Sequence, residues 1–305
     1  MIRGAAVRTP LIRLDVPEAP AEIWLKLECL QPIGSFKIRG AVNAIRQAAP
    51  EAIAGGVVTA SAGNMAQGVA WAAREAGVPA TIVVPEHAPE AKLAAIARLG
   101  GRVLKVPYER WWRAIEESRS DDAEGYFVHP VQDPLVMAGN GTIGLELLED
   151  LATFDAVLIP WGGGGLTTGI ASALAQLAPE VRVYPVEPET GAPVAATLAA
   201  GGEPQPVDYT PSFVDGAGSR GLLPQMWELA RPLISGSHVV SLAEAAGAVR
   251  LLAERARVVA EGAGALPVAA ALSGRAGSGR LVCIVSGGNI DASRLAAILS
   301  GRTPE

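Results

Sequence analysis

Cysteine is scarce: the 305-residue chain has two, Cys29 and Cys283, far apart and in apolar surroundings. With no CxxC spacing and no Cys/His cluster, neither a disulfide framework nor a structural zinc site is expected. Two isolated thiols suit a reducing cytoplasm. Aromatic residues make up only 5% of the chain, and its scattered lysines and arginines leave a net charge of −6. That speaks against nucleic acid or an anionic membrane as partner. The tandem Trp111-Trp112 therefore reads as packing or a lid rather than as base stacking. No apolar run is long enough to span a bilayer, and Met1-Ile2-Arg3-Gly4 lacks a signal-peptide core. A soluble, intracellular, cytoplasmic protein is expected. Repeats, heptads and low-complexity tails are missing as well.

What is abundant is small and apolar. Half the residues are hydrophobic and 35 are glycine, the profile of an alanine-rich α/β protein with close helix–strand contacts. Length allows one large or two medium domains. Strand-like runs fall at 56–60, 80–84, 102–106, 156–160, 182–186 and 281–285. Helical patterns fall at about 64–76, 90–99, 109–119, 138–151, 166–178, 190–200, 243–256 and 262–273. Near-continuous apolar strands alternating with helices predict open, twisted, mostly parallel sheets flanked by helices. The Gly/Pro-rich segment 201–212 reads as a surface loop. No linker is evident, so a second domain is expected as an excursion of the chain. The expected division is a large domain, 1–39 with 134–305, and a small domain, 40–133. The chain stops soon after its last strand, which predicts no appended regulatory domain.

Four segments carry chemistry. After the strand-like alternation of Trp24-Leu25-Lys26-Leu27-Glu28 comes Gly34-Ser35-Phe36-Lys37-Ile38-Arg39-Gly40-Ala41, which puts one lysine in a tight small-residue turn beside an aromatic face. A partly desolvated amine there favours the neutral nucleophile that makes a Schiff base. Ser61-Ala62-Gly63-Asn64-Met65-Ala66-Gln67-Gly68 follows a strand and opens a helix, offering amides and side-chain donors to a carboxylate. Trp161-Gly162-Gly163-Gly164-Gly165-Leu166 joins a strand to a helix. Four glycines there cost conformational entropy, which only unusual dihedrals or close backbone approach justify, and the amides at the helix start form a phosphate site. It is neither a Walker loop nor a dinucleotide fingerprint. Val285-Ser286-Gly287-Gly288-Asn289-Ile290-Asp291 lies at a strand's carboxyl end, where α/β ligands bind. A literal GxGxxG, Gly139-Asn140-Gly141-Thr142-Ile143-Gly144, follows no convincing strand and reads as a glycine-marked helix start.

In this order the four segments resemble the fold type II pyridoxal-phosphate enzymes (tryptophan synthase beta-like), most closely their threonine/serine dehydratase branch. The resemblance runs from Arg8-Thr9-Pro10-Leu11 to Ser286-Gly287-Gly288-Asn289. It implies that Lys37 is catalytic and holds pyridoxal 5'-phosphate as a Schiff base, with Phe36 on the ring and Asn64 at the phenolic oxygen. Gly162, Gly163, Gly164, Gly165 and Leu166 would cradle the phosphate, and Ser286 would face the pyridine nitrogen. Asp215-Gly216 and Glu261 match residues lining the cofactor. Ser61, Ala62, Gly63, Asn64 and Met65 would receive the substrate carboxylate. The implied reaction is β-elimination from L-threonine, L-serine or a related β-hydroxy amino acid, giving a 2-oxo acid and ammonia. A neutral serine at the ring nitrogen limits carbanion build-up and fits elimination better than transamination.

Departures from the family narrow this further. Met65 stands where the family has histidine. Ala62 stands where racemases carry the serine that acts as acid on the opposite face. Glu187 matches one carboxylate of a family cation site, but Pro193 stands at the second, so no metal is expected. Trp161 replaces a smaller residue before the phosphate loop. A serine racemase is one alternative. Another is a β-replacement enzyme such as a cysteine synthase, whose relatives read Lys-Asp-Arg and Thr-Ser-Gly-Asn where this chain has Lys37-Ile38-Arg39 and Ser61-Ala62-Gly63-Asn64. The non-enzyme alternative is a cofactor-binding sensor or interaction protein. A twofold homodimer is the default assembly.

Overall fold

In chain order the strands are β1 (Leu11–Arg13), β2 (Glu22–Lys26), β3 (Val57–Ala60), β4 (Ala80–Pro85), β5 (Gly101–Val106), β6 (Tyr126–Phe127), β7 (Ala156–Pro160), β8 (Arg182–Pro188), β9 (His238–Val240) and β10 (Arg280–Ile284). The helices are α1 (Lys37–Gln47), α2 (Pro50–Ile53), α3 (Asn64–Ala76), α4 (Glu90–Arg98), α5 (Tyr108–Glu116), α6 (Pro134–Asp150), α7 (Gly165–Leu177), α8 (Pro193–Ala199), α9 (Pro224–Ala230), α10 (Leu242–Leu251), α11 (Gly262–Leu272) and α12 (Ala292–Leu299). These elements come from a computed structural model that describes residues 2–304. Contacts divide the chain into two compact units. One comprises the residues up to Val7 with Gln31–Asn140, the other Arg8–Leu30 with the residues from Gly141 onward.

The first unit holds a four-stranded sheet in the order β5-β4-β3-β6, parallel throughout. β3 is buried along its whole length, as a parallel strand covered on both faces should be. Its core joins Ile38, Val42 and Ile45 of α1 to Val69 and Ala73 of α3 and to Ile82 and Val84 of β4. Gly68 lets α3 come close to α1: a methyl there would stand 3.2 Å from the Lys37 carbonyl oxygen and 3.3 Å from the Ala41 methyl.

The second unit holds a six-stranded sheet in the order β1-β2-β10-β7-β8-β9, with only β1 antiparallel to its neighbour. β7, Ala-Val-Leu-Ile-Pro, is buried at every position. α11 is apolar all round and nearly wholly buried, the signature of a core helix. Both thiols are free and buried, and burial pushes Cys29 up to about 12.

Several expectations are corrected. Lys37 is not in the turn but opens α1, a helix the alternating pattern did not mark. The strand-like run at 24–28 stops at Lys26, and Glu28 begins a 3-10 turn. Lys26 is fully buried, its amine 2.6 Å from Glu146 and 2.8 Å from the Thr9 carbonyl. The helix expected over 243–256 is α10 followed by a π-helical stretch, Leu252–Ala256, ended by Arg257 at φ 60°. The GxGxxG does not start a helix. α6 begins at Pro134, with the Asp133 carboxylate accepting the Leu135 amide at 2.7 Å. Its glycines are mid-helix packing positions. A methyl at Gly139 would run into the Arg39 carbonyl, and one at Gly141 would stand 2.8 Å from the Gly169 carbonyl oxygen.

Candidate active site

The residues singled out above fall into two groups, one in each unit. In the first unit Gly34 adopts φ 69° and turns the chain into Ser35-Phe36-Lys37. No side chain caps α1. The half-buried Lys37 amine donates to the Pro130 carbonyl at 2.9 Å and lies 5.2 Å from the centroid of the Phe36 ring. The aromatic face and the amine are thus neighbours.

In the same unit β3 leads through Ser61-Ala62-Gly63 into α3. The Gly63 amide donates to Ser61 Oγ at 3.2 Å, and no side chain caps the helix. The first-turn amides of α3 have no intrahelical acceptor, which suits an anionic group. The Met65 side chain is 2% exposed and belongs to the core. What Met65 offers a ligand is its backbone.

In the second unit the end of β7 passes through Trp161 into Gly162, Gly163 and Gly164, and Gly165 opens α7. Gly164 has φ 93°, and a methyl there would stand 2.6 Å from the Trp161 ring. The indole thus fills the space under the loop and obliges position 164 to stay glycine. A methyl at Gly162 would stand 3.1 Å from the Gly216 carbonyl oxygen. Around these lie Glu261 and the Ser286-Gly287 turn: the Glu261 amide donates to the Gly287 carbonyl at 3.0 Å, and a methyl at Gly287 would collide with Glu261 Oε1. A methyl at Gly216 would stand 3.4 Å from that same oxygen. Residues 162, 216, 261 and 286–287 therefore form one close-packed, small-residue cradle. Ser286 is buried within it.

Sequence reasoning missed Thr167 and Thr168. Their hydroxyls are buried in the first turn of α7, and neither has a hydrogen-bond partner. The signal was there to be read, since two hydroxyl residues directly follow a glycine loop. An orphaned buried hydroxyl costs about 1–3 kcal/mol, so this turn fits a phosphate in both its amides and its side chains. Replacing both threonines by valine should have two opposite effects. The cofactor-free protein should gain stability, read as a higher thermal midpoint. Affinity for the phosphorylated cofactor, titrated on stripped protein, should fall roughly tenfold or more.

Glu187 is fully buried at the end of β8. One carboxylate oxygen accepts the Val194 amide at 2.8 Å, the other the Ala195 amide at 2.9 Å and the Ser237 hydroxyl at 3.0 Å. Burial pushes this carboxyl up to about 7, against the pull of those three donors. Its oxygens are turned to the start of α8, which Pro193 opens. Among the described residues no group of three or more His, Cys, Asp or Glu side chains is placed to hold a metal ion, and none of their helices is long and apolar enough to cross a membrane.

Residues 2–287 match the family described as pyridoxal-phosphate dependent enzyme. This chain belongs to that family. Its cofactor is pyridoxal 5'-phosphate, and the glycine loop with the unpartnered Thr167 and Thr168 hydroxyls suits a phosphate group. The chain is 43% identical to an L-threonine ammonia-lyase of Thermotoga maritima over 286 residues, 92% of this chain and 70% of that one. Among solved structures, the processed form of threonine deaminase isoform 2 from Solanum lycopersicum has a TM-score of 0.88 at 31% identity, covering 97% of this chain and 88% of that one. Maize serine racemase has a TM-score of 0.87 at 32% identity, covering 98% and 94%.

Proposed function

We propose that this chain is an L-threonine ammonia-lyase that also accepts L-serine, removing water from a β-hydroxy amino acid to give a 2-oxo acid and ammonia. The observation that carries the reading is the Lys37 amine, held beside the Phe36 ring and hydrogen-bonded at 2.9 Å to Pro130. The likeness to threonine ammonia-lyase over most of the chain supports it. Lys37 would hold the cofactor covalently, Phe36 would lie on its ring, and Asn64 would meet its phenolic oxygen. Residues 162–166 with Thr167 and Thr168 would take its phosphate, and Ser286 its ring nitrogen, with Gly216 and Glu261 alongside. Once bound, the cofactor supplies an electron sink that acidifies the substrate's α-hydrogen.

The chain's own residues do the rest. Ser61 and the first-turn amides of α3 orient the substrate carboxylate. Lys37, freed of its covalent partner, takes the α-proton at Nζ, and the Pro130 carbonyl gives that amine a fixed direction. The β-hydroxyl then departs as water, its added proton balanced by the α-proton held on Lys37 Nζ, and hydrolysis of the product releases ammonia. Ala62 has no proton to donate, which disfavours racemisation. The two buried free thiols support a reducing cytoplasm as its compartment, and a twofold homodimer is its proposed assembly.

The test is release of ammonia and 2-oxo acid from a panel of L-threonine, L-serine and 3-hydroxyaspartate. Threonine should turn over fastest, with no accumulation of the D-enantiomer. Binding of all three without release would overturn the reading in favour of a sensor.

A further inference from the structure

His129 lies just past β6, is 3% exposed, and has every hydrogen-bonding position of its ring in use. Nε2 is 3.0 Å from the Ile115 carbonyl oxygen on α5. A carbonyl only accepts, so Nε2 carries the proton and Nδ1 is left as an acceptor. Two backbone amides converge on Nδ1, from Val131 at 3.0 Å and from Gln132 at 2.8 Å. The imidazole therefore closes the turn 129–132 on one side and ties it to α5 on the other. Upstream the same segment is fixed by the Val128 amide on the Val58 carbonyl and by the Thr59 hydroxyl on the Val128 carbonyl, both at 2.8 Å. Pro130 sits inside this turn, and its carbonyl is the acceptor for the Lys37 amine.

We propose that His129 is a positioning residue for Lys37: by gathering the Val131 and Gln132 amides it aims the Pro130 carbonyl at the lysine amine and fixes that amine's direction. This rests on the reading of Lys37 as the cofactor-bound base. A carbonyl at the middle of a two-amide turn cannot rotate without breaking those bonds, so the acceptor comes preorganised. Only a neutral imidazole does this, because a protonated ring has no acceptor nitrogen. Burial pushes the His129 ring down to about 4, with the Lys37 charge adding to the effect against the Ile115 hydrogen bond. Neutrality also keeps a second positive charge away from the amine.

The test separates the two ring nitrogens. His129→Asn puts an amide oxygen near Nδ1 and keeps an acceptor for the turn. His129→Gln reaches toward Ile115 and leaves the Val131 and Gln132 amides unserved. Cofactor-stripped protein is mixed with pyridoxal 5'-phosphate, and growth of the yellow lysine-bound absorption is timed; kcat and KM for threonine are then measured on the loaded protein. The rates are compared at a temperature where all variants are folded by circular dichroism. His129→Gln should slow binding of the cofactor to the lysine roughly tenfold or more and lower kcat with KM nearly unchanged, while His129→Asn stays within roughly threefold of the parent. Equal behaviour of the two variants, or the reverse order, would overturn the inference. Lys37→Ala is the separate control: if it keeps the yellow absorption, the reading of Lys37 fails, whatever His129 does.

Discussion

Lys37→Ala should abolish the yellow absorption of the loaded protein and cut 2-oxo acid release by a factor on the order of 10⁴ or more, because in the proposed reaction the nucleophile and the base are one atom. The fold should hardly notice. Lys37 is half-buried at the first position of α1, and alanine is the best helix former. The thermal midpoint is therefore expected to stay close to that of the parent. Lys37→Arg sharpens the result. It keeps a positive charge and a donor for the Pro130 carbonyl, but a guanidinium stays protonated and cannot serve as a nucleophile. It should be as inactive as the alanine variant. Substantial turnover in either variant would show that the base lies elsewhere.

The largest effect on stability is expected at Gly139. A methyl there would run into the Arg39 carbonyl oxygen and lie 2.8 Å from the Gly40 Cα, backbone atoms on α1 that cannot step aside. Gly139→Ala should therefore cost about 3 kcal/mol, at the upper end for overpacking, despite alanine's better helix propensity. Gly247, exposed in the middle of α10 with nothing within 4 Å of its missing methyl, is the matched control. There the same substitution should stabilise by about 0.5–1 kcal/mol. Denaturant unfolding of both variants checks the pair. If both shift in the same direction, close packing of α6 on α1 is not what keeps position 139 a glycine.

The elements legible in the sequence are those whose local pattern is also their tertiary role. β7 and β4 read as strands because they are apolar throughout or, in β4, at all but Thr81, and nearly every position is buried. α3 could be placed from its start at Asn64 to its end before Gly77, a glycine at φ 72°. The short strands β1, β6 and β9 carry too few residues for a period to show, and long-range pairing alone makes them strands. α1 escaped notice because no capping side chain announces it and Gly40 interrupts its apolar stripe. That glycine is there for close approach to Val136 and Asn140. The GxGxxG misled for the same reason: glycines needed between helices look in sequence like glycines needed around a ligand. Of the candidate site, the Lys37 segment and the glycine loop 162–165 stood out in sequence because small residues and one amine have little other use there. His129, Pro130 and the two orphaned threonine hydroxyls were not, since their meaning lies in which distant backbone atoms they meet or fail to meet.

The position of β10 governs how the protein must be made. The last strand in the chain lies inside its sheet, between β2 and β7, and its Arg280 is in register with Glu22, 258 residues earlier. A chain leaving the ribosome therefore exposes the bare edge of β2 and cannot cover it until Arg280–Ile284 has been synthesised. The unit that ends at Asn140 has all its strands once Phe127 has been added. The other can close its sheet only once β10 has emerged, by slotting a strand between two that have no hydrogen bond to each other. Nascent chains stalled before Arg280 should thus carry one finished unit and one open, adhesive sheet, and should need a chaperone until β10 has emerged.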